Sequence, residues 1–562
     1  MTTIGYPYTL PTTGNVSFQE FFVLNAQYQR PVSDATAFRG RLRTALKEHK
    51  HSDRHDFLNV QKALEDYIPF LFGLVAGIEN TELELSNEVE TTWRCTISNI
   101  ALSSKQPQVK HKSIHYEAIF TLLTLGYVLM DRANEYAQSV QNKILIAIGD
   151  ISSYGKGHGE GSSSVGANHG ANNTIHGSGS IPGSSSATSS SEFSIGISNS
   201  SNANSGNSSS GGSSGGGGGN SASRLFKKSS SNFSAKNSNT IGEFTDYLTD
   251  DDLAAIDHQL TTAADLYCKA AGVFEYIAQD MIPKWSNNSH ITSTATAIVT
   301  TTQDVAGLNV NKSLSSKKFT PESIRPVDIQ TSVVSAHIRL ALAEAHSCTV
   351  RKAAIKAARA SAIRQLISSG SSTVASGTTP KTSYVLLAKL TIGVKEEYER
   401  AYGLLKSVKD LNEISSDFRA HVKDAKVYYE ALAQTLLGMD AYEAQHYGKA
   451  IGFLSLARTS FAALSKASKS HTIAQAAAFE YRLSNEKVIA FQKINDSVTF
   501  EQIPTQAQLL AVMPSGRDLL SSKKYMPPRP NFGIAATAGE GGQGGADESV
   551  KKLAYALQGA YF

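Results

Sequence analysis

The sequence is poor in cysteine and close to neutral in charge. Its 562 residues include three cysteines, Cys95, Cys268 and Cys348, which are widely separated and form no CxxC pair. This pattern argues against a disulfide framework and against a zinc site, and it fits a reducing compartment. Lysine and arginine total 53 against 49 acidic residues, a formal net charge of +4. So small an excess does not indicate a nucleic-acid partner.

Long apolar runs and targeting signals are also missing. The most apolar run, AIFTLLTLGYVLM at residues 118–130, is shorter than the roughly 20 residues that a membrane span needs, and we expect a buried helix there. The N-terminal MTTIGYPYTLPTTG has no signal-peptide pattern and places Thr2 where myristoylation requires glycine. The C-terminal LQGAYF offers no cysteine for prenylation. These features predict a soluble, cytoplasmic protein.

No recognisable catalytic motif occurs in the sequence. The glycine runs at residues 155–161 and 215–219 are not followed by the Lys-Ser/Thr of a P-loop, and GxSxG and HExxH are absent. His51 and His55 are four residues apart, which on a helix suits a metal, but no third ligand accompanies them and a solvated polar segment is the favoured interpretation. We expect no catalytic residue, no metal, no cofactor and no small-molecule substrate, and hence not an enzyme.

Outside the low-complexity segments, apolar residues recur with the period of an α-helix. One stripe advances by three or four residues at a time, as a helix face requires; it consists of Leu387, Leu390, Val394, Tyr398, Ala401, Leu405 and Val408. A second stripe runs from Leu253 to Met281. Thr249 and the three aspartates after it mark its start, and Pro283 predicts its end. With no convincing alternating strand pattern, the predicted fold is all-α with long antiparallel helices.

Two stretches interrupt the helical pattern. The longer one is almost entirely Ser, Gly and Asn, and it has too few apolar side chains to offset the entropy cost of ordering. Helical periodicity resumes after each stretch, so both are interpreted as insertions within one helical domain. The predicted segments are 1–151 (N-terminal part of the domain), 152–241 (disordered insertion), 242–285 (long helix), 286–325 (flexible insertion), 326–525 (tetratricopeptide-like core and closing extended segment) and 526–562 (flexible tail).

Two short stretches stand out within the helices. Residues 441–467 pair small residues with bulky ones and resemble a tetratricopeptide hairpin, although no 34-residue period repeats it. In KAAGVFEYIAQDMIPKW, residues 269–285, the small residues at 270–272 directly precede Val273 and Phe274. Glycine inside a helix costs about 1 kcal/mol relative to alanine, so a structural gain must offset it. We predict a close helix crossing at residues 270–272.

Four segments, taken in order, resemble the BRO domain family, the scaffold type of Alix, BROX and HD-PTP. They are SIHYEAIFTLLTLGYVL, AADLYCKAAGVFEYIAQ, LALAEAHSCTVRKA, and HYGKAIGFLSLA with the later NEKVIAFQKI. The third segment has Glu344 and His346 where the family has glutamines, and Ser347 in place of an acid. The resemblance covers residues 16–505, interrupted by the two insertions. It implies an elongated, boomerang-shaped helical domain with a tetratricopeptide-like core.

The resemblance also implies a peptide-binding groove. In the family, a hydrophobic groove receives the C-terminal amphipathic helix of an ESCRT-III subunit of the Snf-seven/CHMP-four type. The residues that the resemblance assigns to this groove are Thr349, Val350, Lys352, Ala362, Ile363 and Leu366. Thr349 and Ala362 are smaller than the family's residues, which predicts a shallower pocket or a register shifted by one residue. The competing interpretation is that Ile363 and Leu366 belong to the domain core.

Basic residues flank these apolar positions and would suit an acidic partner helix; they are Lys352, Lys356, Arg359 and Arg364. The first functional hypothesis is therefore a non-enzymatic adaptor that binds an ESCRT-III tail helix and is recruited peripherally to endosomes in cargo sorting and membrane remodelling. The alternative is a generic tetratricopeptide-like scaffold that binds another peptide or a signalling partner. A basic segment at residues 223–236 suggests contact with an anionic membrane, with a solvated linker as the favoured interpretation. The layout resembles the short, BRO-only members.

Overall fold

The computed structural model describes residues 4–52, 55–99, 107–154, 249–288, 326–368 and 383–537. Most of the predicted insertion at 152–241, most of the one at 286–325, and the tail beyond residue 537 lie outside these ranges. The described chain is dominated by α-helices, so the all-α prediction is confirmed. The helices are α1 Ala26–His51, α2 Phe57–Glu79, α3 Ile114–Tyr154, α4 Asp250–Tyr276, α5 Ile282–Asn288, α6 Thr331–Ser368, α7 Tyr384–Lys406, α8 Ser416–Glu443, α9 Tyr447–Ala467, α10 His471–Ile494, α11 Gln506–Ala511 and α12 Ile534–Thr537.

The long helices pack in chain order. Helix α1 packs on α2, α2 on α3, α3 on α4, α4 on α6, and the series continues without a break from α6 to α10. The connection between α8 and α9 is residues 444–446, and a connection this short makes neighbouring helices antiparallel. At this hairpin a Cβ on Gly438 would lie 2.8 Å from Leu454 Cγ, so glycine permits the close approach. The predicted hairpin at 441–467 therefore consists of the end of α8 and all of α9.

The apolar run at residues 118–130 lies in the interior, as predicted. Every residue of that run is buried within α3. A Cβ on Gly126 would overlap the Phe274 ring, so α3 and α4 cross closely at this point. Among the described residues, no helix combines the length and apolarity needed to cross a membrane.

Helix α4 begins as its sequence predicts but does not end there. Thr249 is the N-cap, and its hydroxyl accepts the Asp252 N–H while the Asp252 carboxylate accepts the Thr249 N–H. The predicted end at Pro283 is wrong, because a π-helical turn, Ile277–Met281, leads directly into α5. Pro283 lies in the first turn of α5, where the hydrogen bond that proline cannot donate is least missed.

Four short strands were not predicted. Strand β1, Phe22–Val23, pairs antiparallel with β2, Glu84–Leu85, and β3, Glu90–Arg94, pairs antiparallel with β4, Gln108–Lys112. The β3 side chains alternate between buried and half-buried. Runs this short are hard to recognise from periodicity, and no tight turn joins β3 to β4 to signal a hairpin.

A buried ion pair joins the N-terminal elements. The Arg39 guanidinium on α1 donates to both carboxylate oxygens of Glu117 on α3, at 2.7 and 3.1 Å. Tyr67 on α2 and Trp93 on β3 donate to the same carboxylate, at 3.1 and 2.7 Å. Four elements are therefore fixed by one carboxylate that has no exposed surface.

Residues 513–533 form an extended segment, here called the strap, that crosses several helices. Its backbone N–H groups donate to helix carbonyls: Arg517 to Lys389 O at 3.0 Å, and Lys523 to Cys268 O at 2.9 Å. Further along, Phe532 is buried against Gly73 of α2. The first part of the predicted flexible tail at 526–562 is therefore packed against the domain.

Candidate functional site

The predicted groove residues all lie on α6, which packs between α4 and α7. A short 3₁₀ turn, Val327–Ile329, precedes the helix, and its Asp328 carboxylate accepts the backbone N–H groups of Thr96, Ile97 and Ser98. The start of α6 is thus fixed to the loop that follows β3.

The two residues at the first groove position have different environments. Val350 is only 2% exposed and belongs to the main apolar core. Its assignment to an open groove therefore finds no support in its surroundings. Thr349 is half-buried, and its hydroxyl donates to Ala345 O one turn back at 3.3 Å. Of this pair, Thr349 is the one that reaches the surface.

The basic residues of α6 pair with acids of the same chain. Lys352 Nζ lies 2.7 Å and Lys356 Nζ 2.8 Å from the two carboxylate oxygens of Asp257 on α4. Arg359 lies 3.5 Å from Asp250 at the start of α4. Partial burial raises the pKa of Asp257, but the hydrogen bonds from the two lysines outweigh it and lower the pKa overall. These charges thus help to hold α6 on α4.

The remaining predicted anchors lie near the C-terminal end of α6. Ala362, Ile363 and Leu366 are within the helix, but their side chains lie outside the described part of the structure. Their assignment to a groove stays a prediction. On the helix, Ile363 and Leu366 are three residues apart and so lie on one face.

Glu344, His346 and Ser347, the residues of α6 that differ from the family pattern, are buried and hydrogen-bonded. The Glu344 carboxylate accepts from the hydroxyls of Ser347, at 3.2 Å, and of Tyr398 on α7. Burial raises the pKa of Glu344, although these hydrogen bonds partly oppose the shift. His346 lies beside the strap, and its Nε2 atom is 3.1 Å from Leu519 N and 2.9 Å from Leu520 N.

A cavity of about 280 Å³ lies away from the predicted groove, where the strap crosses α2. The strap forms one wall with the run Pro527, Pro528, Arg529 and Pro530; the other lining residues are Phe72, Val75, Ala76, Glu79, His115, Tyr276, Met281 and Lys284. This cavity could not be predicted from the sequence, because its walls come from segments more than 400 residues apart in the chain, as Phe72 and Pro527 show.

The candidate metal pair does not share a helix face. His51 is the last residue of α1, and His55 lies in the connection that follows. His55 Nδ1 is 3.1 Å from the backbone oxygen of His49. Within the described ranges, no group of three or more His, Cys, Asp or Glu side chains is arranged to hold a metal.

Comparison with protein families finds a match for the part of the chain that contains α6. Residues 249–517 match the model of the BRO1-like domain. The match begins at the N-cap of α4 and ends within the strap, so it contains α6 and α7. The resemblance to the BRO domain family inferred from the sequence is thereby confirmed for the matched residues.

The curated relatives are regulators of pH response. The pH-response regulator protein palC of Emericella nidulans is 32% identical over 151 residues, which is 23% of this chain and 30% of that protein. The palC proteins of Cryptococcus neoformans and Yarrowia lipolytica are 32% and 29% identical, over 139 and 138 residues. These cover 24% of this chain in each case. The aligned segment spans less than a third of the length of each relative.

Three solved structures are similar over most of this chain. One, described as a structural basis for endosomal targeting by the Bro1 domain, has a TM-score of 0.45 at 12% identity and covers 93% of both chains. An ALIX BRO1–CHMP4C complex has a TM-score of 0.47 at 11% identity, covering 94% of this chain and 98% of the other. ALIX in complex with a viral late-domain peptide has a TM-score of 0.49 at 12% identity, covering 99% of this chain and 53% of the other.

Proposed function

We propose that this chain, which carries a BRO1-like domain over residues 249–517, is a non-enzymatic adaptor that binds the C-terminal amphipathic helix of an ESCRT-III subunit of the Snf-seven/CHMP-four type. The family match carries the proposal, because it spans the helix to which the sequence resemblance assigns the groove. Such an adaptor works in the cytoplasm and is recruited to endosomal membranes through its partners.

The spacing of aliphatic residues on α6 supports a helix-in-groove contact. Such contacts use aliphatic anchors spaced three or four residues apart on a helical surface, with polar residues around them. Ile363 and Leu366 have this spacing, and Thr349, four turns earlier on the same helix, is half-buried. Val350 is left out of the proposed surface because it is part of the core.

The charge of α6 supports an acidic partner. Two ammonium groups, those of Lys352 and Lys356, share the single carboxylate of Asp257. Lys356 is also the more exposed, with 66% of its side chain accessible. The pair therefore leaves an excess positive charge at the surface of α6, which favours acidic side chains on an incoming helix.

We also propose that this adaptor acts in a pathway that responds to pH. The observation that favours it is the similarity to the palC proteins, which are named as pH-response regulators. Under this proposal, the chain is both an ESCRT-type adaptor and a signalling scaffold. Expression in Yarrowia lipolytica cells that lack palC tests it: the pH response is expected to return, and an unchanged defect would count against this pathway.

The binding proposal is tested by titrating the full chain with labelled C-terminal helices of ESCRT-III subunits and with scrambled peptides of the same composition. We expect saturable binding of at least one helix and none of its scrambled version. Equal binding of native and scrambled peptides would indicate charge attraction only, and would contradict a specific groove.

A further inference from the structure

One histidine of α6 holds the strap by accepting two backbone hydrogen bonds. The Nε2 atom of His346 lies 3.1 Å from Leu519 N and 2.9 Å from Leu520 N. Both donors belong to the strap, and His346 itself is 3% exposed. A backbone N–H can only donate, so Nε2 must be the acceptor for both.

This geometry fixes the protonation state of the ring. Nε2 accepts hydrogen bonds only when it carries no proton, so in this structure the proton of the neutral ring is on Nδ1. Nδ1 is buried and has no hydrogen-bond partner among the described residues. A second proton would have to bind at Nε2, where it would point at two N–H groups and replace two attractive contacts by two repulsive ones.

We propose that His346 is a proton-sensitive latch: the neutral imidazole holds the strap at Leu519 and Leu520, and protonation releases these two residues from α6. The proposal does not depend on the identity of the partner that binds α6.

The charged groups around the latch come from three elements. Asp518 precedes the donors Leu519 and Leu520 on the strap. Its carboxylate lies 3.4 Å from the guanidinium of Arg400 on α7. Arg400 also pairs with Glu397, which faces Arg339 of α6 at 3.6 Å. These residues largely neutralise one another.

Two further carboxylates face the strap from the flanking helices. Glu396 on α7 accepts the Gly516 N–H at 3.0 Å, and Glu275 on α4 accepts the Ser522 hydroxyl at 2.5 Å. Each is occupied by its own strap donor, on either side of the latch. Burial is the largest influence on His346 and lowers its pKa, with Arg400 acting in the same direction and Asp518 opposing.

The direction of the pH effect follows from this lowered pKa. A histidine whose folded pKa lies below the unfolded value of 6.5 stabilises the closed arrangement fully above that value, and the stabilisation is lost as the pH falls through the folded pKa. The latch is therefore closed at neutral pH and opens in acid.

Opening at the latch is local. The strap is held on one side by Arg517 bound to Lys389 O and on the other by Lys523 bound to Cys268 O. None of these backbone contacts involves a group that titrates near neutral pH. Release of His346 therefore frees the few residues between the two anchors and uncovers the apolar surface that Leu520 now contacts.

Hydrogen–deuterium exchange of the intact chain tests the latch. Protection of the Leu519 and Leu520 amides, corrected for the intrinsic pH dependence of exchange, is measured from pH 7.5 to 5. We expect it to fall as the pH decreases below 6.5, the value of an unperturbed histidine, by up to about tenfold per pH unit, and to level off once the pH is below the lowered pKa of His346. Amides of α9 (Tyr447–Ala467) serve as the reference for global opening and should keep higher protection than Leu519 and Leu520 at every pH.

Two variants separate the latch from a general acid effect. In His346→Gln the amide oxygen can accept both N–H groups but does not titrate, so protection should be retained and should no longer depend on pH. In His346→Ala no acceptor remains, so protection should be low at every pH. Wild-type protection that does not change with pH, or a fall of equal size in His346→Gln, would overturn the proposal. So would protection at Leu519 and Leu520 equal to that of α9 at every pH, which would mean that these amides exchange only when the whole domain opens.

Discussion

Gly272 and Lys523 are in direct backbone contact: a Cβ atom on Gly272 would overlap the Lys523 carbonyl oxygen. The small residues at 270–272 thus serve a close approach, as their composition predicts, but at Gly272 the approaching group is the extended strap and not another helix. The Lys523 N–H donates to Cys268 O one turn earlier on α4. A second glycine does the same on α7, where a Cβ on Gly393 would lie 2.6 Å from Arg517 O.

Replacing Gly272 should weaken the attachment of the strap. Gly272→Ala places a methyl group against a backbone carbonyl that cannot rotate away, and we expect the free energy of unfolding to fall by about 1–3 kcal/mol. The matched control is Gly403→Ala on α7, where a Cβ meets nothing within 4 Å. Alanine should there stabilise the helix by about 0.5–1 kcal/mol. Urea denaturation of both variants checks the prediction, and a stabilised Gly272→Ala would refute the contact.

The carboxylate of Glu117 should contribute strongly to the stability of the fold. Glu117→Gln leaves the Arg39 guanidinium, 1% exposed, without a counter-charge, and we expect a loss of about 3–5 kcal/mol. Asp34→Asn removes one partner of an exposed pair with Arg30 at 4.0 Å and should cost less than about 1 kcal/mol. Thermal or urea unfolding measures both. Similar losses in the two variants would mean that the buried pair adds nothing beyond a surface one.

Two buried histidines should make global stability fall in acid. Burial lowers the pKa of His337 to about 4 and that of His421 to about 3. His337 is enclosed by aromatic rings and stacks on Phe418 at 5.5 Å. Since both folded values lie below the unfolded value of 6.5, the unfolded chain binds more protons between these limits. The free energy of unfolding should therefore be greatest above pH 6.5 and fall as the pH decreases toward 4 and below.

Variants assign this acid sensitivity to the buried rings. His421→Gln should flatten the dependence of stability on pH, while the exposed His471→Gln should leave the wild-type slope unchanged. Urea midpoints measured at several pH values between 7.5 and 4 provide the comparison. If His421→Gln keeps the full wild-type slope, the acid sensitivity does not come from His421.

The helices could be predicted because their apolar stripes are long. All seven predicted residues from Leu387 to Val408 are buried, since a stripe that repeats through six turns has no other arrangement that hides it from water. The start of α4 at Thr249 could also be predicted from the sequence, because an N-cap acts through residues within one turn. The predicted end at Pro283 failed because a π-helical turn, which leaves no strong sequence signal, precedes the proline.

The parts that sequence could not predict depend on distant residues. The strap contacts helices through its backbone, and backbone groups carry no sequence pattern. Lys352 and Lys356 both pair with Asp257, which lies about 100 residues earlier in the chain, and no local sequence pattern connects them. Val350 continues the apolar face of α6, and sequence alone cannot tell whether such a face meets the core or a partner.

Binding of an ESCRT-III tail helix to α6 is tested most directly by titrating a labelled C-terminal helix against wild-type protein, Ile363→Asp and Leu366→Asp. Ile489→Asp is the matched control, because Ile489 is 59% exposed on the separate helix α10. Circular dichroism establishes that each variant is folded. We expect saturable binding by the wild type and by Ile489→Asp, and a loss of more than about tenfold in affinity for the two α6 variants, as for buried interface anchors. Unchanged binding by folded Ile363→Asp and Leu366→Asp, or no saturable binding by the wild type, would contradict it.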